Sequence, residues 1–285
     1  GKNIIVMSEL GVDSTIIDGG ENGSVVTFNN SETNGPALDG FTITNGLAYP
    51  KGGGIYISGA SPELNNLIIK NNISNPTGQG GSGGGIMIEY SNLTVLNNVI
   101  IVNNLGIQGG GVFIDHNSNV ELSNCTIAGN NAESGGAITS YISNLTMSNC
   151  IVWGNNTENN QHLNLNGNTV VRYSNIEGLS NDFSGNDNIN SDPLFCNISN
   201  GDYGLAQDSP CIGRGEFGSD IGAMFDLEDG YCELSIVNKS LSFDGDDDYV
   251  DFGNLPSGLN NFSYMGWYKF PGLNGENDVN PIFNT

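Results

Sequence analysis

Short apolar runs, each opened by glycine and closed by a polar turn, recur along the first two-thirds of the chain. Gly52-Gly53-Gly54 leads into Ile55-Tyr56-Ile57, Gly83-Gly84-Gly85 into Ile86-Met87-Ile88, and Gly109-Gly110-Gly111 into Val112-Phe113-Ile114. A weaker copy stands at Gly135-Gly136-Ala137-Ile138. The opening strand residues Ile55, Ile86, Val112 and Ile138 are 31, 26 and 26 positions apart. Such a period marks a solenoid or array, because one unit of this size cannot bury its apolar face alone.

A second strand follows in each unit. Leu64-Asn65-Asn66-Leu67-Ile68-Ile69 aligns with Leu96-Asn97-Asn98-Val99-Ile100-Ile101, Leu122-Ser123-Asn124-Cys125-Thr126-Ile127 and Met147-Ser148-Asn149-Cys150-Ile151-Val152. Tyr173-Ser174-Asn175-Ile176 reads as a shorter last copy. Strand side chains alternate between faces, and stacked coils lie about 4.8 Å apart, so like residues form columns. The expected inward columns are Phe41, Leu67, Val99, Cys125, Cys150, Ile176; Ile43, Ile69, Ile101, Ile127, Val152; and Ile55, Ile86, Val112, Ile138. Asn66, Asn98, Asn124, Asn149 and Asn175 border that core and read as an internal amide ladder. The glycines read as corners that take positive φ or a tight bend. They open no helix, so a nucleotide loop is set aside.

Composition narrows the setting. Gly is 42 of 285 residues and charged residues are 13%, so Asn, Ser, Thr and Gly must furnish most of the polar surface. The net charge of −24 repels phosphate backbones and anionic lipid, which excludes nucleic acid and membrane surfaces as expected partners. No apolar run reaches the length of about 18 residues that a spanning helix needs, so no membrane insertion is expected. The chain opens directly on strand-like sequence, as though inside the fold, with a signal or earlier coils expected ahead of it. Cys125 and Cys150 fall at equivalent positions, whereas Cys196, Cys211 and Cys232 cluster later. A disulfide within that trio would fit a secreted or cell-surface protein, with its pairing open.

The repeats resemble those of right-handed parallel β-helix proteins of the pectin-lyase-like superfamily, especially bacterial surface proteins. Asp192-Pro193-Leu194-Phe195, Gly201-Asp202-Tyr203-Gly204-Leu205, Asp208-Ser209-Pro210-Cys211-Ile212 and Asp220-Ile221-Gly222-Ala223 are similar to that group's closing segments. Ser240-Leu241-Ser242-Phe243-Asp244 and the strand Phe262 to Phe270 resemble the start of a laminin-G-like, concanavalin-A-like jelly roll. The 46 residues from Ser240 to Thr285 are too few for two sheets, so a longer natural protein is expected. The fold expected from the resemblance is all-β: a right-handed parallel β-helix over 1–186, its closing segment over 187–235, and a partial jelly roll over 236–285.

Candidate chemistry is sparse. β-Helices of this superfamily include polysaccharide lyases and hydrolases. Lysis of a uronate needs a neutralised carboxylate and a base, but Lys51, Lys70 and Arg172 share no exposed column. Glycoside hydrolysis needs two spaced carboxylates. Glu89 and Asp115, one coil apart with His116 beside them, are the best such cluster, and a solvated turn is the plainer reading. His162 is expected to face solvent. Asp244, Asp246 and Asp248 suggest Ca²⁺, although the spacing is no EF-hand loop; no cofactor is otherwise expected.

The outward columns carry more. Tyr56, Met87 and Phe113 should form one exposed strip, and Ile100, Val102, Ile151 and Trp153 another, and contiguous exposed apolar surface marks partner sites. A loop over Ser74 to Ser82 is the alternative cover. The expected function is a non-catalytic stalk or adhesin-like recognition module for a glycan or surface protein. A polysaccharide-degrading enzyme and a self-associating fibre subunit are the alternatives, the latter because open solenoid ends expose strand edges.

Overall fold

The computed structural model describes residues 2–33, 35–74, 81–157, 162–179, 186–224 and 231–232. The chain divides into two units, Gly1–Ile236 and Val237–Thr285, and all of the second lies outside the described residues. So do the jelly-roll reading, the candidates Asp244, Asp246 and Asp248, and positions 75–80 of the expected covering loop.

In the coil made by Ile55–Ser58, Glu63–Lys70 and Ile73–Ser74, left-handed bends at Gly59, Asn66 and Asn71 turn the chain through its circuit. The strands Ile55–Ser58, Ile86–Glu89 and Val112–Asp115 pair in parallel, and Ile138–Ser148 extends the row. Their register sets Ile55, Ile86, Val112 and Ile138 side by side, as the periodicity predicts. The second face stacks Ile43, Ile69, Ile101, Ile127 and Val152, all fully buried. A further inward column runs Leu38, Leu64, Leu96, Leu122, Met147 and Val171. These columns meet in one cluster. Each buried Ile or Leu contributes about 1.5–3 kcal/mol, so the columns, more than any single turn, hold the coils together.

The last coil slides relative to the expected alignment. Ile151 pairs with Asn175 and Val152 with Ile176, so Ile176 extends the Ile43 column and not the Cys125–Cys150 column. Tyr173, at φ 49°, takes the corner that the alignment gave to Asn175. Part of the cause is local: between Ile138–Ser148 and Leu163–Arg172 the register skips Ile142, which removes one of the two residues of the slide. The other lies in a repeat that spans 25 positions at Ile138↔Leu163 where the asparagine match supposed 26. Matching by asparagine concealed the skip.

Asparagine also divides its labour differently from the expectation. Asn66, Asn98, Asn124 and Asn149 are half-buried corner residues at φ between 49° and 55°. Their side chains make a broken outer chain: Asn98 Nδ2 donates to Asn66 Oδ1 at 2.8 Å, but Asn124 Nδ2 turns to Asn97 Oδ1 at 3.1 Å. The internal ladder is made instead by Asn72, Asn104, Asn130 and Asn155, which are buried at the end of the second face. Successive Nδ2–H groups donate to the next Oδ1 at 3.0 Å each. The same Nδ2 atoms reach the carbonyls of Ile43, Ile69, Ile101 and Ile127 at 2.8–3.1 Å. Every amide hydrogen is thereby used, which makes burial of these polar groups tolerable.

The middle glycine of each triplet marks a close approach between coils. A Cβ on Gly110 would lie 2.5 Å from the Asn131 carbonyl oxygen and 2.6 Å from that of Gly136. The first glycine bends the chain, with φ 69°, 61° and 60° at Gly83, Gly109 and Gly135.

After the coils the chain turns back along its own second face. Phe195–Asn197 pairs antiparallel with Asp202–Leu205, and Cys196 is bonded to Cys232 with their Cα atoms 5.9 Å apart. Cys211 stays a free, buried thiol, as do Cys125 and Cys150. Burial pushes the Cys125 thiol up well above its ordinary value, with the neighbouring Cys150 adding to the effect, so the thiolate form needed for reaction is suppressed.

Candidate binding surface

The closing segment decides which outward strip is open. Ile100, Val102 and Ala128 pack under Tyr203 and Ala223, with Phe195 at the edge. Ile151 packs under Leu205, Cys211 and Ile221. The second strip is therefore an internal docking face, and Ile100, Val102 and Ile151 are buried. Trp153 remains half-buried at the margin of that packing.

On the row of strands that follow the glycine triplets, the register places Tyr56, Met87, Phe113 and Thr139 in one column. Tyr56 and Met87 are half-buried, but Phe113 is only 5% exposed. The Tyr141 ring stands edge-on to it with centroids 5.8 Å apart and closes that end of the strip. The open part is Tyr56, Met87 and the positions toward the corner.

Those positions bring the three acid–base candidates together. Glu89 and Asp115 are in-register neighbours, and His116 Nδ1 lies 3.3 Å from Asp115 Oδ2 and 3.9 Å from Glu89 Oε2. Tyr56 Oη donates to Glu89 Oε1 at 2.6 Å, and the Lys51 ammonium sits 4.9 Å from the Tyr56 ring centroid. Partial burial, reinforced by the hydrogen bond to Glu89, raises the Tyr56 hydroxyl above its ordinary 10.0. Among the described residues, no group of three or more His, Cys, Asp or Glu side chains is placed to hold a metal ion.

Next to the carboxylates runs a corner column that the sequence reading missed: Gly59, Tyr90, His116 and Ile142. Their φ values are 63°, 55°, 57° and 44°. The Tyr90 and His116 rings lie 4.3 Å apart at 33°, and Tyr90 and Ile142 are 57% and 70% exposed. Positive φ is costly for residues with a Cβ and least expected for a β-branched one. The signal was available, since Tyr90 follows Glu89 as His116 follows Asp115, but corner residues belong to no strand column and escape a period-of-two reading.

His162 does not face solvent. Its Nδ1 is 2.6 Å from the Asn155 carbonyl oxygen and its Nε2 is 3.9 Å from Glu177 Oε2, which ties it to the end of the asparagine ladder.

The sequence pattern of the family described as right handed beta helix region matches residues 8–209, well over half of the chain. The chain belongs to this family. The match spans every stacked column of this right-handed β-helix and runs on into the closing segment. No curated protein and no solved structure matches this β-helix.

Proposed function

We propose that this right-handed β-helix protein is a non-catalytic, secreted or cell-surface recognition module. Its coils form a rigid support, and the corner face of Tyr56, Glu89, Tyr90, Asp115 and His116 meets a glycan or a surface protein. One observation carries the reading: two large rings, Tyr90 and His116, stack in the open at backbone positions where Gly59 serves in the coil before. Each such residue costs about 1–2 kcal/mol relative to glycine, and strain retained at an exposed position points to use. Flat rings beside two carboxylate acceptors suit a ligand with apolar faces and hydroxyl or amide donors.

Other features support parts of the reading. The Cys196–Cys232 disulfide fits an oxidising compartment. The closing motifs favour the pectin-lyase-like, bacterial surface branch, and the adjoining jelly-roll resemblance favours glycan or protein binding. The charge of −24 disfavours nucleic acid. Among the described residues no helix is long and apolar enough to cross a membrane.

The test is a glycan array and a set of purified surface proteins probed with the full chain and with a Tyr56→Ser, Tyr90→Ser variant. Phe113 is left intact because Tyr141 covers it. Retention of a ligand by the natural chain and its loss from a folded variant is the expected result. Undiminished retention by the variant overturns the assignment of this face.

A second reading, cleavage of a polysaccharide, is favoured by the in-register Glu89 and Asp115 with His116 at 3.3 Å from Asp115. It requires product release that Asp115→Asn abolishes.

A further inference from the structure

The closing segment does more than cover the second face. Between its antiparallel pair and the ends of the neighbouring coils it leaves an open groove of about 230 Å³. Trp153, Phe195 and Tyr203 supply its aromatic lining. The floor includes Gly129 and Gly154, at φ 64° and 63°, so no side chain rises from these positions. Part of that lining is held in place: Phe195 and Tyr203 pack edge-on with centroids 5.4 Å apart, and the residue after Phe195 is the disulfide-bonded Cys196.

Among the described residues, few polar side chains line the groove. The Asn103 side chain lies across Gly129, its Oδ1 2.7 Å from where a Cβ would stand, and the Tyr203 hydroxyl is 3.8 Å from the same point. Ser199 adds a second hydroxyl to the rim. Among the described residues no charged side chain lines the groove, although the chain carries −24.

We propose that this groove binds one unit of an uncharged saccharide, at a site separate from the Tyr90–His116 corner. A pyranose ring offers a C–H face that lies flat against the Trp153 indole, where the bare glycine floor leaves room. Its hydroxyls supply partners for the Asn103 amide, the Ser199 hydroxyl and the Tyr203 hydroxyl. An apolar peptide side chain would fill the same space but offer the Asn103 amide, the Ser199 hydroxyl and the Tyr203 hydroxyl no hydrogen-bonding group in return. A uronate or sialic acid would bring a carboxylate to a lining whose described residues include no cation. The volume lies below the usual range for larger ligands, about 300–1,000 Å³, and suits a single ring.

The experiment uses the full chain, titrated calorimetrically with methyl glucoside, methyl galactoside, N-acetylglucosamine, cellobiose, glucuronate and an uncharged Leu-rich peptide. The expected result is saturable binding of at least one neutral sugar, with none of glucuronate. Asn103→Ala and Trp153→Ala each weaken it by about tenfold or more. Ser199→Tyr, an exposed change that fills the groove without opening the core, abolishes it and leaves the thermal midpoint in place. Loss of sugar binding in Ser199→Tyr, whose Tyr90–His116 corner is intact, separates this site from the corner face. Failure of every neutral sugar to bind, binding that survives Ser199→Tyr, or peptide binding in place of sugar overturns the proposal.

Discussion

Asn104 and Asn130 are joined twice through one oxygen: the Nδ2–H and the backbone N–H of Asn104 both donate to Asn130 Oδ1, each at 3.0 Å. The same double bond links Asn72 to Asn104 and Asn130 to Asn155. Replacing Asn104 by Leu orphans the buried Asn72 N–H and removes a donor from the Ile69 carbonyl. The expected loss is about 2–5 kcal/mol, read as a lower chemical-denaturation midpoint. Asn124→Gly, at a corner that glycine adopts freely, should change stability by less than about 0.5 kcal/mol.

Gly110 and Gly59 should respond in opposite ways. Gly110→Ala drives a Cβ to 2.5 Å from the Asn131 carbonyl oxygen, so adjacent coils must part. A loss of about 3 kcal/mol or more, or failure to fold, is the expected outcome. Gly59→Asn fills a position at φ 63° with nothing within 4 Å of its Cβ, and should be tolerated. Thermal melts of the two variants make the comparison.

Alkaline pH should expose the Tyr56–Glu89 bond. The Tyr56 hydroxyl is raised above 10.0 in the folded chain by partial burial and by that bond. Above the unfolded value the folded chain therefore holds a proton that the unfolded chain has released, and stability falls as pH rises. The advantage of the natural chain over Tyr56→Phe should be full below pH 10.0 and shrink as pH climbs through the raised value. Denaturation midpoints of both proteins between neutral and strongly alkaline pH measure it.

The coils were legible from the sequence because their columns repeat: the Gly-triplet strands and the Ile43–Val152 column fall in the predicted register. Three things were not. The true ladder of Asn72, Asn104, Asn130 and Asn155 shares its sequence signature with the corner asparagines, and only burial tells them apart. The skip at Ile142 leaves no mark in composition. The cover over Ile100, Val102 and Ile151 comes from residues such as Tyr203 and Ile221, many positions later, so a strip that reads as exposed within the repeats is closed by tertiary packing. At the candidate site, the carboxylate pair and His116 were readable from coil spacing, whereas Tyr90 emerged only when corners were aligned as columns.

Reduction of Cys196–Cys232 should loosen that cover. The bond closes a loop with a sequence separation of 36, and its loss should cost about 2–4 kcal/mol. Release of Phe195 and Tyr203 then uncovers Ile100 and Val102, so binding of an apolar dye should rise in the Cys196→Ser, Cys232→Ser variant while the parallel-strand circular dichroism persists. An unchanged dye signal would show that packing alone holds the segment.

Recognition at the Tyr90–His116 corner is tested most directly by calorimetric titration of an array-selected ligand into the natural chain, Tyr90→Ser and His116→Ser. Saturable binding weakened about tenfold or more in both variants, at unchanged thermal midpoints, is the predicted result. Equal affinity in all three proteins would contradict it.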